Sequence, residues 1–384
     1  MKSTALECPS LTQHFEAPAG YNAMFGWACG YSADATFMDM ALERFTRQTR
    51  AQRAWDGRVW LGLMLDPGNP MVSIVDAPGL MHNRIREGLR RPFNLLHAKV
   101  ALLGFVHEVE PERWLVRLLV STGNWTRQTM EESLDLAWRL DLTREALASN
   151  MDEDRLAIAD VAAAWGMMES LQSSFDLRLL EGGGGGRLGV GAQARSTFES
   201  WLRTCVDRAP NVRPRFFDNR TYSLLGQLPA QVKAHARAVR RNYLAMGAGY
   251  FEATSKADGA FPSVPLAIRK ALVVEGLLTQ SAEVDIFVNP TNCQAMAEVS
   301  KANRDAEAIA VRPAHVPEAV FGANAVRSLH AKFLFGANYR EDNPLCRSPW
   351  IYLGSGNLTA QGFALVAGPG VGNLEAGVVF APPD

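Results

Sequence analysis

The chain repeats one short pattern in its two halves, and this repeat constrains the fold more than any other feature of the sequence. Residues 97–99 read His-Ala-Lys, and residues 330–332 read the same three letters. An asparagine in a Gly-Asn turn follows each histidine after 27 positions, as Asn124 and Asn357. Four matched positions at equal spacing do not arise readily by chance, so the pattern indicates an internal duplication.

Apolar runs surround each copy of the repeat. One run begins after each lysine, and a second run leads into each asparagine. These runs are Val100–Leu103 and Trp114–Val120 in the first copy, and Phe333–Phe335 and Trp350–Leu353 in the second. Short apolar runs bounded by turn residues are typical of buried strands. Each copy is therefore predicted to form a strand, a connection, a second strand and a turn.

The His-Ala-Lys triplet, placed on a strand, puts two ionisable side chains on one face. Side chains alternate along a strand, so His97 and Lys99 point the same way, as do His330 and Lys332. The alanine between them faces the other side and can pack. Two copies that face each other would form a pocket with two imidazoles, two ammonium groups and two carboxamides.

Such a pocket suits a phosphodiester. Ammonium and amide donors can hold the non-bridging oxygens and stabilise the charge that grows on them in the transition state. One neutral histidine can attack phosphorus while the other, protonated, gives a proton to the leaving oxygen. This chemistry needs no metal ion and no cofactor. A single histidine or lysine would more simply be structural or solvated, but the equal spacing of both copies favours the catalytic interpretation.

At these residues the sequence resembles the phospholipase D superfamily, whose hallmark is a duplicated H-x-K motif followed by a Gly/Ser-Asn turn. The commonest motif of that family has an aspartate seven positions after the histidine, where this chain has Gly104 and Ala337. The tyrosyl-DNA phosphodiesterase branch also lacks this aspartate and is similar in pattern. The resemblance covers roughly residues 90–140 and 325–382.

The resemblance implies an acidic residue in each half that orients a histidine. Glu375 lies in a segment that looks like the one after the second asparagine in the superfamily. Asp135 occupies the corresponding place in the first half, where Glu131 and Glu132 compete for the same role.

The resemblance also assigns roles to the other site residues. By similarity to the tyrosyl-DNA phosphodiesterase branch, His97 is expected to be the nucleophile and His330 the general acid and base; the residues themselves do not distinguish the two. The expected phosphate ligands are Lys99, Lys332, Asn124 and Asn357. Trp125 is interpreted as a packed core residue rather than as part of the site.

The duplication and the resemblance together predict an α/β fold of two similar lobes. Each lobe is expected to be a mixed β-sheet flanked by helices, related to the other by a pseudo-twofold axis with the active site between them. A chain of 384 residues is long enough for this arrangement. The five consecutive glycines Gly182–Gly186 indicate a flexible connection, because the Gly-Lys-Ser/Thr ending of a phosphate loop is missing. The lobes are therefore predicted to span residues 1–185 and 186–384.

The composition is that of an ordinary globular protein, with 47% hydrophobic and 21% charged residues. Five scattered cysteines without a C-x-x-C pair argue against a disulfide framework and a structural zinc site. The first nine residues contain no apolar stretch of signal-peptide length, and no segment reaches 18 uninterrupted apolar residues. The cytoplasm is the expected compartment, and no stable membrane insertion is expected.

The substrate is open between three interpretations. DNA leads, because the family aspartate is absent and arginines precede the first motif. These are Arg84, Arg86, Arg90 and Arg91, which form either a solvated basic helix or a rim that steers phosphates. A phospholipase D or phospholipid transferase is the second interpretation, although no amphipathic membrane helix is evident. A nucleic-acid-binding module with vestigial catalysis is the third, and the two complete motifs speak against it.

Overall fold

The structure is a computed structural model that describes most of the chain. The described residues are 8–181, 187–252, 260–289, 296, 299, 308–340 and 342–382. The glycine run Gly182–Gly186, which contains the predicted lobe boundary, lies outside this part. Residues 1–7 also lie outside it.

The first lobe is built on a six-stranded mixed sheet with the order β3-β2-β1-β4-β5-β7. Its strands are β1 (Tyr21–Gly30), β2 (Leu61–Leu65), β3 (Leu80–Asn83), β4 (Val100–His107), β5 (Trp114–Ser121) and β7 (Ala137–Thr143), with a short β6 (Ser133–Leu134) outside the sheet. The pairs β1–β2 and β2–β3 are parallel, and the remaining pairs are antiparallel. The strand predicted after Lys99 is β4, which lies in the interior of this sheet beside β5, the strand predicted to lead into Asn124.

The second lobe repeats this sheet. Its strands are β8 (Phe216–Asp218), β9 (Arg241–Gly247), β10 (Leu278–Val288), β11 (Ile309–Pro313), β13 (Phe333–Arg340), β14 (Asn343–Gly354) and β15 (Ala376–Phe380), with a short β12 (Ser328–Leu329) outside the sheet. The order is β11-β10-β9-β13-β14-β15-β8, and its first six positions repeat the order and directions of the first sheet. The predicted fold of two similar mixed α/β lobes is confirmed.

Helices cover both sheets. They are α1 (Ala35–Thr46), α2 (Arg50–Asp56), α3 (Arg127–Glu131), α4 (Asp152–Gln172), α5 (Arg178–Glu181), α6 (Arg187–Asp207), α7 (Leu224–Ala236), α8 (Ser263–Val274) and α9 (Glu318–Phe321). Helix α1 begins where Asp34 accepts a hydrogen bond from Phe37 N at 2.7 Å. Of the helices within the described ranges, none is both long and apolar enough to cross a membrane.

The helices sort into three layers around the two sheets. Helix α1 packs on the outer face of the first sheet, and α7 and α8 pack on the outer face of the second. Helices α4 and α6 share a central core with residues of both sheets, among them Val116 and Val378. The two lobes are thus joined by a continuous apolar interior, which fixes how the inner ends of their strands meet.

The arginine-rich segment before the first motif is not a helix. Strand β3 ends at Asn83, and residues 84–99, which are all within the described part, form no helix before β4 begins. Gly88 has a φ of +75°, and Pro92 follows, so the backbone cannot continue a helical path here. The interpretation as a solvated basic helix is wrong. The four arginines are exposed on an irregular segment that leads into His97.

A buried ion pair fastens the central helix α4 to the second sheet. Arg215 Nε lies 2.7 Å from Asp160 Oδ2, and the amide of Phe216 donates to Asp160 Oδ1 at 2.9 Å. Asp160 is fully buried. Burial raises the pKa of its carboxyl, although Arg215 opposes the change.

Replacing Arg215 by methionine should lower the free energy of unfolding by about 3–5 kcal/mol, because it leaves a buried carboxylate without its partner. Urea denaturation at neutral pH measures the effect. Arg203→Met is the matched control, since that side chain is 56% exposed and its loss should cost less than about 1 kcal/mol. Equal losses for the two variants would contradict the assigned role of the pair.

Candidate active site

Both His-Ala-Lys segments lie directly before β4 and β13 rather than within them. The strands begin at the residue that follows each lysine. The alanines of the two triplets are 0% and 3% exposed, as expected for side chains that face the core. The triplets lie outside the strands because the backbone amides of their first two residues donate hydrogen bonds to the other lobe.

Each triplet is bound by backbone hydrogen bonds to the segment that carries the acidic residue of the other lobe. The amides of residues 97–98 donate to the carbonyl of Leu374, at 3.0 and 2.7 Å. The amides of residues 330–331 donate to the carbonyl of Leu134, at 3.1 and 2.8 Å. Just before the second triplet, β12 pairs in parallel with β6. This reciprocal exchange places the residue after each leucine, Glu375 or Asp135, beside the histidine of the opposite lobe.

Two histidine–carboxylate dyads result. His97 Nδ1 lies 2.9 Å from Glu375 Oε2, and His330 Nδ1 lies 3.0 and 3.1 Å from the two carboxylate oxygens of Asp135. The carboxylates are 0% and 8% exposed. A carboxylate on Nδ1 fixes the ring orientation and leaves Nε2 as the nitrogen available to a substrate. Of the three acidic residues considered in the first half, Asp135 is the one that contacts His330.

Hydroxyl groups that the sequence analysis missed hold both carboxylates. Thr122 Oγ1 donates to Asp135 Oδ1 at 2.7 Å, and Ser355 Oγ donates to Glu375 Oε2. Each hydroxyl residue stands two positions before a motif asparagine, so the repeated Thr/Ser-Gly-Asn pattern was the available signal. In the first half, the glycine between the hydroxyl residue and the asparagine is also required, because a Cβ on Gly123 would lie 2.7 Å from Asp135 Cγ.

Both motif lysines are fully buried in the site. Lys99 Nζ donates to the carbonyl of His97 at 2.7 Å, and Lys332 Nζ lies 3.2 Å from the carbonyl of Thr122 and 3.0 Å from His330 Nε2. Burial, with the charge of Lys332 adding to it, lowers the pKa of Lys99 to about 7. Burial lowers the pKa of Lys332 to about 8. An anion between the two ammonium groups would relieve their repulsion.

Both histidines are biased toward the neutral form. Burial lowers the pKa of His97 to about 4, against the opposing effect of Glu375. Burial also lowers the pKa of His330, against its hydrogen bond to Asp135. The charge of Lys332 acts on His97, and the charge of Lys99 acts on His330. The two dyads therefore form one electrostatic site, to which both lobes contribute.

The motif asparagines have polar atoms to offer a ligand. In Asn124 and in Asn357 the side-chain Oδ1 is buried and has no hydrogen-bond partner within the described part of the chain. A buried polar atom without a partner is costly, and an amide that rotates offers either its oxygen or its N–H group. Trp125, by contrast, is fully buried, and its Nε1 donates to the carbonyl of Cys29 at 2.9 Å. Its interpretation as a packed core residue is confirmed.

The position of the missing family aspartate lies in the apolar interior. Gly104 is in β4, and a Cβ there would lie 2.3 Å from the ring of Phe198 in α6. Ala337, its counterpart in β13, is fully buried. A carboxylate has no room at the first of these positions, so the acidic groups of the site come from the segments after the asparagines.

Comparisons with known proteins identify the fold. No protein-family model matches the sequence, and no curated protein matches it. A crystal structure of the yeast tyrosyl-DNA phosphodiesterase matches with a TM-score of 0.51 and 12% identity, over 99% of this chain and 88% of that one. A mutant of the yeast enzyme matches with a TM-score of 0.54 and 10% identity, over 99% and 86%. The chain thus has the two-lobed fold of the yeast tyrosyl-DNA phosphodiesterase.

The low pKa of His97 predicts a pH-dependent stability. Between pH 6.5 and 4 the unfolded chain binds a proton that the folded chain excludes, so the free energy of unfolding falls as the pH is lowered through this window. At about 1.4 kcal/mol for each pKa unit, His97 contributes up to about 3 kcal/mol of this loss. Urea denaturation of wild type and His97→Gln at pH 7 and pH 4.5 tests it. A variant with undiminished pH dependence contradicts the prediction.

The lowered lysine pKa values predict that anion binding weakens in mild alkali. As the pH rises through about 7 and about 8, Lys99 and Lys332 lose their protons. Sulfate is a suitable probe because it stays a dianion throughout this range. Its dissociation constant, measured by calorimetry, should rise by about tenfold between pH 6.5 and pH 9. Lys332→Met should bind sulfate weakly with a flatter profile, and a pH-independent dissociation constant in the wild type would contradict the role of the two lysines in anion binding.

Proposed function

We propose that the chain is a metal-independent phosphodiesterase that hydrolyses DNA phosphodiester bonds through a covalent phospho-histidine intermediate. One observation carries the proposal: two histidine–carboxylate dyads, each assembled from both lobes, lie beside two buried lysines, and the two motif asparagines have buried amide oxygens without a described partner. This arrangement offers a nucleophile, an acid and a phosphate-binding site at one place.

In the first step, Nε2 of His97 attacks phosphorus as the bond from phosphorus to the leaving oxygen breaks. The low pKa of His97 keeps this nitrogen unprotonated at neutral pH. Glu375 accepts the Nδ1–H bond and stabilises the positive charge that develops on the ring. The leaving oxygen takes the Nε2 proton of His330. The negative phosphate offsets the charges of the two lysines, which raises the pKa of His330 in the complex and favours its protonated form.

In the second step, water replaces the histidine. Water gives a proton to Nε2 of His330, its oxygen bonds to phosphorus, and the bond from phosphorus to His97 Nε2 breaks. The product is a phosphate monoester, and both histidines return to their starting states. Throughout, Lys99, Lys332, Asn124 and Asn357 hold the non-bridging oxygens, where charge accumulates in both transition states.

DNA is the favoured substrate for two reasons. The chain shares its fold over almost its whole length with a yeast enzyme that is a tyrosyl-DNA phosphodiesterase. Four exposed arginines also lie on the segment that leads into His97, which suits a polyanion. A leaving group other than tyrosine is compatible with both observations.

A parallel assay tests substrate and mechanism together. In the presence of EDTA, purified protein is given labelled single-stranded DNA, a phosphotyrosyl oligonucleotide and phosphatidylcholine vesicles. We expect turnover of a DNA substrate that EDTA does not inhibit. His97→Ala and His330→Ala should each lower kcat by at least about 10³-fold, because general acid–base catalysis and covalent catalysis are both lost. Arg203→Met serves as the unaffected control.

The intermediate itself can be sought in a second experiment. His330→Gln lacks the base that activates water, so phosphate should remain attached to His97 and appear as an acid-labile, alkali-stable adduct in mass spectrometry. Full activity of both alanine variants on any substrate, or turnover that EDTA abolishes, would refute the proposed mechanism. Hydrolysis of phosphatidylcholine alone would refute the choice of DNA.

A further inference from the structure

The two dyads are built alike, but their carboxylates are supported unequally. Both oxygens of Glu375 have side-chain partners: Oε2 contacts His97 and accepts from Ser355, while Oε1 accepts from Asn373 Nδ2 at 3.3 Å. Among the described residues, Asp135 is held by one threonine hydroxyl and its histidine alone. The dyad of the expected nucleophile therefore has an additional amide donor.

This donor is itself held by the segment that leads into the first triplet. Asn94 Nδ2 donates to Asn373 Oδ1 at 3.1 Å, and the amide of Asn94 donates to the carbonyl of Gly372 at 2.9 Å. Because the amide oxygen of Asn373 accepts from Asn94, its NH₂ group faces Glu375. Asn373 is 9% exposed. Two carboxamides thus connect the segment before His97 with the carboxylate on its ring.

A third asparagine fixes the backbone of the same segment. Asn219 Oδ1 accepts from the amide of Glu375 at 2.8 Å, and Asn219 Nδ2 donates to the carbonyl of Asn373 at 2.8 Å. Asn219 is fully buried and directly follows β8, the strand by which the second sheet exceeds the first. Residues 373–375 are therefore held on their backbone as well as through their side chains.

The corresponding positions of the other copy hold different residues. The pairs in register are Leu96 with Leu374 and Leu329 with Leu134. Ser133 therefore corresponds to Asn373. Arg327 corresponds to Asn94, and its Nη1 donates to the backbone carbonyl of Ser133 at 2.9 Å. The pair of carboxamides thus acts on one dyad, and Asp135 has no equivalent of it among the described residues.

A donor on this carboxylate matters for the chemistry of the attacking ring. When His97 Nε2 binds phosphorus, the ring keeps its Nδ1 proton and becomes positively charged. Glu375 stabilises this charge only if it is ionised and in place. Full burial disfavours the ionised form, and a hydrogen bond donated by Asn373 favours it. The amide therefore stabilises the charged ring without touching the substrate.

We propose that Asn373, oriented by Asn94, is a positioning residue that fixes the carboxylate of Glu375 against His97 and thereby makes His97, rather than His330, the nucleophile. The inference rests on the proposed phosphodiesterase function and adds to it a physical reason for the division of roles. The duplicated motifs are chemically equivalent, and this pair of carboxamides is present on one side of the site.

An oligonucleotide that ends in a 4-nitrophenyl phosphate ester allows the two steps to be measured separately. His97 Nε2 forms the bond to phosphorus, and the nitrophenolate leaves with its electron pair and needs no proton from His330. With protein in excess over substrate, release of nitrophenolate measures the first step. The amount of DNA attached to the protein after a denaturing quench then measures the second step.

Asn373→Ala should slow nitrophenolate release by about tenfold or more, as loss of a hydrogen bond to a charged group does. The attached DNA should then be released at the wild-type rate or faster, because the ring loses its positive charge in the second step and the variant stabilises that charge less. Asn373→Asp keeps the shape of the side chain and removes the donor, so it should slow the first step at least as much.

Two further variants define the path of the effect. Ser133→Ala, at the matched position of the other copy, should change neither rate. Asn94→Ala removes a partly exposed side chain and should slow the first step by about threefold. The double variant Asn94→Ala/Asn373→Ala should be no slower than Asn373→Ala, because Asn94 acts through Asn373 alone.

The outcomes separate the two proposals. Equal slowing of both steps in Asn373→Ala would mean a general structural defect, and a first step as fast as that of wild type would mean no role; either result overturns the inference. Equal effects of Ser133→Ala and Asn373→Ala, or fully additive losses in the double variant, would also overturn it. A wild type that neither releases nitrophenolate nor becomes attached to DNA would contradict the proposed function instead.

Discussion

Neither lobe contains a complete dyad, and the exchange of backbone hydrogen bonds between the lobes is the interaction on which the rest of the site depends. Two amides of each triplet converge on one leucine carbonyl of the other lobe, Leu374 or Leu134. The next residue is the carboxylate that binds the histidine, so the register of this pairing sets the dyad geometry. The apolar core around α4 and α6 holds the lobes in that register. Assembly of the dyads and docking of the lobes are therefore one structural property.

Burial gives the site its chemical character. Two lysines and two histidines are withdrawn from water within one region, and this lowers the pKa of all four groups. Withdrawing ammonium groups from water is unfavourable, and the site tolerates it because carboxylates stand nearby. An anion beside the two ammonium groups would be favoured for the same reason. The neutral imidazoles and the preference for an anion thus arise from one physical cause.

The pseudo-twofold symmetry ends at the rim of the site. The dyads, hydroxyl supports and asparagines occur in matched pairs. Among the described residues, a polar cavity lies beside His330, and the irregular segment before His97 carries exposed arginines. The internal duplication accounts for the paired groups, and the segments around them differ between the two lobes.

The sequence by itself determined the strands after each motif and the two-lobed fold, and it predicted eight candidate site residues, because these depend on local periodicity and on a repeat with fixed spacing. It did not determine which acid contacts which histidine: the dyad partners are 278 and 195 positions apart, and Glu131 and Glu132 competed with Asp135 in the first half. Packing of the lobes made that choice, selected Asp135, and recruited Thr122 and Ser355 to hold the carboxylates. Contacts between distant segments follow from how two apolar faces dock, and no local pattern encodes that.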